Sequence, residues 1–514
     1  MSLTPTIERL PFAAGATARA VLDGTLPAAW TAPRPRDVAA WRERMQASRH
    51  APIGRDWGWT LREAFASSGA AAARLARVSE GQGVVVTTGQ QPGLFGGPLY
   101  TLAKALSALA LADALERATG IPAAPVFWAA TDDTDFAEGA RIALPVAGGT
   151  RTAELTAAPA DSVMMAAAPV GDASAALEAL RVACGGGAWA DVARVAHGAY
   201  AAPGATVGGA YVALLRVVLQ PLGIAVLDAA HPDVRRAAHP WLRRALADAG
   251  PLDAAVHART AQLRERGLAP QVVPVDDRAL VFTVRDGVRT RATVSGARDL
   301  LRGVTDDGLS PNVLLRPVIE RALLPTAAYV AGPGELAYFA QVGAVADLLE
   351  LPMPLAVPRA SVRVTTAPVA ATLARHALDA EALRRPHAAE AVLARASTPD
   401  AAFDALAALR ATVRTTAGQL GAAGTPLAPH VIDGAVAQLA HRIDRLERRL
   451  LAASKRAMDG DLAAVVAARQ QLWPDGAPQE RAVNWLPWLV RHGPPFVQAL
   501  RAACDEAMRP LVHG

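Results

Sequence analysis

The chain has 514 residues, 52% apolar and 19% charged, a composition ordinary for a folded protein and too long for one small core. A net charge of +5 is spread thinly, aromatics are 5%, and no basic block alternates with them, so nothing marks a nucleic-acid surface, whereas small acidic substrates are compatible. Cys184 and Cys504 are too few for a disulfide framework, and the most apolar run, 105–112, is too short to cross a bilayer.

The stretch Met1–Arg9 lacks a basic segment followed by an apolar run, so a cytoplasmic protein is expected. Residues 1–80 read as loops and amphipathic helices, including one helix over 62–79. Residues 84–98 read as a buried strand, a glycine-rich loop, and a helix that opens on Pro98 and runs to about Arg117. Short apolar runs recur at 125–130, 223–228, 326–331 and 355–357, separated by helical stretches. Unbroken apolar runs suit strands buried on both faces, and their alternation with helices predicts a doubly wound parallel α/β core of Rossmann type. Residues 271–275, 280–284 and 288–294 alternate instead, with Asp286-Gly287 as a tight turn, which predicts an inserted antiparallel meander. Beyond 366, Leu406, Leu409, Val413, Thr416 and Leu420, then Ile432, Val436, Leu439, Ile443, Leu446 and Leu450, step by threes and fours. That rhythm predicts a helical coiled-coil hairpin turning over 421–429, a structural arm or dimer contact. The expected organisation is a core built from 1–140, 206–240 and 301–365, inserts at 141–205 and 241–300, a helical domain at 366–475, and a terminal segment at 476–514.

Lys104 and Lys455 are the only lysines among 52 basic residues. A position that keeps an ammonium where arginine is otherwise used has a local reason, or else is a surface survivor of drift toward arginine. Lys104 lies one turn into the helix after Gly89, Gln90, Gln91, Gly93 and Gly97, where loop amides and the positive helix end would favour an anion. A second loop, Asp132, Asp133, Thr134 and Asp135, could bind an amine, hold Mg²⁺, act as general base, or merely cap a helix. A third carries Gly332 and Gly334, with Glu335, Tyr338 and Gln341 spaced by three on one helix face. All three loops follow strands and should meet at one sheet edge. Arg316 and Arg359 are candidate carboxylate binders. No phosphate-loop signature, Gly-x-Ser-x-Gly elbow or zinc-ligand spacing is present, and no metal site is expected.

Together these segments resemble the bacillithiol-pathway cysteine-adding enzymes, the BshC family. The resemblance rests on 88–104, on Phe127-Trp128 with the acidic run, on 310–317, 324–326, 332–341 and 354–359, and on Gln479-Glu480-Arg481 and Asn484 with Leu486-Pro487. It implies a Rossmann-like core with connecting subdomains, a coiled-coil homodimer, and a ligase that adds L-cysteine to glucosaminyl-malate. Lys104, Asp133 and Asp135 are then candidate catalytic groups, with ATP and Mg as a candidate activator. The chain departs from the family pattern at Thr134, usually histidine, and at Ala140-Arg141, usually Asn-His. Two other classes fit the sequence: a nucleotidyltransferase-like enzyme for another small substrate, and a non-catalytic coiled-coil scaffold.

Overall fold

The computed structural model describes residues 4–185 and 189–513; Met1–Leu3 of the N-terminal reading above lie outside them. Two compact units emerge. The first comprises the described residues through Val146, Arg151–Val364, and the chain from Gln479 onward. The second comprises Ala147–Thr150 and Thr365–Pro478.

Five parallel strands form the centre of the first unit: β1 (Val84–Gln90), β2 (Ala123–Ala129), β3 (Ala225–Asp228), β4 (Thr326–Ala331) and β5 (Ala356–Pro358), in the order β5-β4-β1-β2-β3. This is the doubly wound order, with its direction of winding reversed between β1 and β4. The apolar runs form strands because both faces are covered. Val84 and Val86 pack into one buried cluster with α1 (Leu99–Thr119) and the last helix, α3 (Pro494–His513). Val85, one residue out of phase, packs on the other side with α2 (Pro333–Leu348). Pro125 sits inside β2 without breaking the ladder, because the β2–β3 pairing begins only at Val126 with Ala225, leaving that flank of Pro125 unpaired.

Local expectations changed in three places. The helix expected over 62–79 is broken into Arg62–Phe65 and Gly69–Arg77, with Ala66 at φ 40°. Gln220, distant in sequence, holds the break by donating to the Ala66 carbonyl at 3.1 Å and accepting from Ser68 at 2.6 Å. The meander forms, but its third strand is Leu309–Pro311, paired with Val281–Arg285, which also pairs with Val288–Arg291. Residues 271–275 are not a strand. Strands Arg141–Val146 and Gly149–Glu154 occupy a stretch whose sequence showed no strand period.

In the second unit, helices Asp400–Ala422 and Pro429–Ala457 pack as a hairpin, bridged by Arg410 to Asp444 at 2.7 Å and to Glu447 at 2.6 Å. Leu406 and Ile443 are buried there, whereas Leu409, Leu420, Leu439 and Leu446 of the predicted seam stay exposed. Among the described residues, no helix is long and apolar enough to cross a membrane.

Candidate active site

The reversal between β1 and β4 opens a crevice at the carboxyl ends of the strands, and a cavity of about 410 Å³ occupies it. Gly89 and Gln90 end β1, and Gly332 to Glu335 open α2 directly after β4. Gly89 must be glycine because a Cβ there would lie 2.9 Å from the Trp128 carbonyl oxygen on β2.

Lys104 is 1% exposed, and its ammonium donates to Glu335 Oε2 at 2.6 Å, to the Gly89 carbonyl at 2.5 Å, and to Gln90 Oε1 at 3.2 Å. Three acceptors suit the three hydrogens of an ammonium, which answers why lysine is retained here. Burial drives the Lys104 pKa down, and the neighbouring Glu335 carboxylate opposes that shift. Burial acts upward on Glu335, but Lys104, the Tyr329 hydroxyl at 2.5 Å and the Gly332 N–H at 2.7 Å outweigh it and hold the carboxyl below its ordinary value. The bonds around the pair, three acceptors at Lys104 Nζ and three donors at the Glu335 carboxyl, are those of an ammonium facing a carboxylate.

The arginines are fixed in the same manner. Arg316 donates to Glu320 at 2.9 Å and to the Tyr338 hydroxyl at 3.2 Å, and its guanidinium stacks 4.9 Å from the Tyr329 ring. Arg359 lines the cavity, but its fork is already engaged with Glu480 at 2.7 and 2.8 Å and with the Ala360 carbonyl. A free bidentate carboxylate binder was expected at Arg359; it is occupied because Glu480 supplies that carboxylate from within the chain. Arg289, which sequence reading missed, reaches the cavity wall from the meander and donates to the Asp132 carbonyl at 2.9 Å.

The acidic run does not converge. Asp132 accepts from Ser310 at 2.8 Å and faces Arg289. Asp135 is off the cavity wall and caps the short helix Phe136–Gly139 by accepting from the Glu138 N–H, the capping role rather than the chemical one. Asp133 does line the cavity, and burial pushes its carboxyl upward. Glu138, unremarked in the sequence, lines it too and accepts from Gln91 Nε2 at 2.8 Å. Among the described residues, no group of three potential ligands forms a metal cage.

Two further expectations are corrected. Gly93 and Gly97 are absent from the cavity wall, and the opening of α1 is not free to hold an anion. The Leu99 N–H donates to the Val483 carbonyl, the Phe95 N–H to the Tyr200 hydroxyl, and the Gly96 and Gly97 N–H groups bond within the loop. Asn484 binds the carbonyls of Leu94, Phe95 and Gly97, so the terminal segment fills the loop. Gln341 is fully buried away from the cavity; it accepts from the Val272 N–H and donates to the Val272 carbonyl and Thr260, and so holds a wall residue instead of a ligand. Gly89, Gln90, Gln91, Lys104, Asp132, Asp133, Arg316, Gly332, Gly334, Glu335, Tyr338 and Arg359 do meet there. Sequence reading missed Tyr100, Trp128, Asn312 and Arg481. Tyr100, four residues before Lys104, had a signal in helical spacing; Arg481 had one only in the family resemblance of the segment Gln479-Glu480-Arg481.

A cavity at the switch point of a doubly wound sheet, lined by a buried lysine–glutamate pair, by arginines and by the carboxyls of Asp133 and Glu138, defines a Rossmann-like protein with a small-molecule site. Residues 34–360 match the family described as bacillithiol biosynthesis BshC, N-terminal Rossmann-like domain, and 428–509 match its C-terminal coiled-coil domain. The chain belongs to the BshC family. It is similar to proteins named "Putative cysteine ligase BshC" from Solibacter usitatus (33% identity, 82% of each chain), Salinibacter ruber (31%, 82% of this chain and 80% of the relative) and Koribacter versatilis (31%, 86% and 85%).

Proposed function

We propose that the chain is a ligase that joins the carboxyl carbon of L-cysteine to the amino group of glucosaminyl-malate, the last step of bacillithiol formation. The supporting observation is that one cavity brings together cationic groups, Lys104, Arg316 and Arg481, and the carboxyls of Asp133 and Glu138. A substrate bearing carboxylates and an amine matches that mixture of charges. Asp133 and Glu138 would receive the amine, and burial, which raises both pKa values, brings them closer to the range where a base exchanges protons near neutrality. Arg481, exposed at the rim, and the N-terminal end of α2 would take the malyl carboxylates.

Amide formation from a free carboxylate requires an activated acyl group. The glycine loop does not fit a nucleotide phosphate as a cradle, since its amides and carbonyls are engaged by Tyr200, Val483 and Asn484. The residues' work is to bind, orient and move a proton. Cytoplasmic location is part of the proposal, supported by two buried free cysteines. So is a homodimer through the helical hairpin, supported by its exposed leucines.

The deciding assay is mass spectrometry of purified protein with L-cysteine and glucosaminyl-malate, with and without Mg-ATP. Bacillithiol is the expected product, and the ATP comparison identifies the source of activation. Folded protein that yields none beside an active relative would overturn the ligase reading.

A further inference from the structure

The paired glutamines at the end of β1 link Lys104 to Glu138 along the cavity. Lys104 Nζ donates to Gln90 Oε1 at 3.2 Å, Gln90 Nε2 donates to Gln91 Oε1 at 3.0 Å, and Gln91 Nε2 donates to Glu138 Oε2 at 2.8 Å. The orientation of both amides is chemically forced. An ammonium has only donors, so Gln90 must present its oxygen; an ionised carboxylate only accepts, so Gln91 must present its nitrogen. Every link then points the same way, from cation to anion, and each polarises the next.

The other carboxyls on the wall are committed differently. Asp132 is engaged by Ser310 and Arg289, and Glu335 by Lys104, Tyr329 and Gly332. Asp133 Oδ1 accepts the Asp135 N–H, a local turn bond, which leaves Oδ2 as the second open carboxylate oxygen on the wall but with no link to Lys104. Among the described residues, no histidine lines the cavity. Glu138 is exposed on its short helix, and Oε1, the oxygen not bonded to Gln91, has no hydrogen-bond partner among the described residues.

On the ligase reading above, we infer that Glu138 takes the proton of the substrate ammonium, and that Gln90 and Gln91 are positioning residues tying its carboxylate to Lys104. The transfer breaks one N–H bond, forms one O–H bond on Glu138 Oε1, and leaves the nitrogen lone pair free to attack an acyl carbon. Burial raises the Glu138 pKa first, and Asp135 and Asp133 add to it; Arg481 from the terminal segment and the Gln91 hydrogen bond act the other way. Tyr100 on α1 faces the same group, and its hydroxyl is raised by burial and by Glu138. The hydrogen bond from Gln91 favours the ionised carboxylate.

The test compares wild type, Glu138→Gln, Asp133→Asn and Gln91→Met. Calorimetry with glucosaminyl-malate and its N-acetylated derivative reads recognition of the amine without turnover, and product mass spectrometry reads rate against pH. Glu138→Gln is expected to lower the rate by about a hundredfold or more and to abolish discrimination between amine and N-acetyl ligands, with Asp133→Asn affecting both less. Gln91→Met is expected to shift the acid limb of the rate profile to higher pH, because it removes a bond that favours the ionised carboxylate. Unchanged discrimination and rate in Glu138→Gln overturn the assignment, and a slower Gln91→Met with an unmoved acid limb overturns the positioning role. Failure of wild type to bind glucosaminyl-malate overturns the ligase reading and this inference with it.

Discussion

A lysine deprived of water persists only if the fold fixes an anion beside it, and Lys104 has that anion in Glu335. Breaking the pair from one side leaves a lone buried charge, so Lys104→Met is expected to cost about 3–5 kcal/mol, read by denaturant unfolding. Lys104→Arg keeps the charge but brings a larger planar group among acceptors placed for an ammonium, so loss of ligand binding and a lowered Tm are expected. Glu335 carries a pH signature. Its folded value lies below the ordinary 4.5, so its contribution is present above that pH and is lost as pH falls through the depressed folded value. The stability gap between wild type and Glu335→Gln should therefore be widest above about pH 4.5 and close on acidification, as unfolding curves across acid pH would show. Composition alone made Lys104 legible, because it is a rare residue type. Glu335 was legible as a loop residue but not as its partner, and Arg359 looked free for the same reason: sequence does not reveal which distant carboxylate an arginine meets.

At the scale of elements, the apolar runs were sufficient to place the five central strands, because strands covered on both faces are built mostly of apolar residues, and the buried Thr88 of β1 bonds the Val330 carbonyl of its neighbour. The glycine loop was misread in function. Its spacing resembles an anion cradle, but Asn484 and Trp485 occupy it from the opposite end of the chain, and spacing cannot register an occupant so remote. Asn484→Ala should strand the carbonyls of Phe95 and Gly97, at about 1–3 kcal/mol for each group left unsatisfied, while the Leu94 carbonyl keeps the Gly97 N–H. A lowered denaturation midpoint with an unchanged slope would verify this. Gly96→Ala meets two obstacles, a φ of +88° and the Trp485 ring 2.4 Å from the new Cβ, and is expected to lower Tm strongly.

For the molecule as a whole, the three-four rhythm predicted the hairpin but could not say how many partners share the seam. Leu406 and Ile443 are satisfied inside it, while Leu439 and Leu446 remain about half exposed, at 45% and 51%. Exposed leucines on a helical arm favour a second copy, so Leu439→Glu with Leu446→Glu should halve the mass measured by light scattering while leaving the first unit's fold intact. The terminal segment carries a different implication. The loop between β1 and α1 is held by Val483, Asn484 and Trp485, and Arg359 by Glu480, so the sheet can be synthesised long before the candidate cavity is whole. No ribosome still translating the helical arm carries a competent copy, and a premature stop there yields a product without function, whatever the state of its sheet.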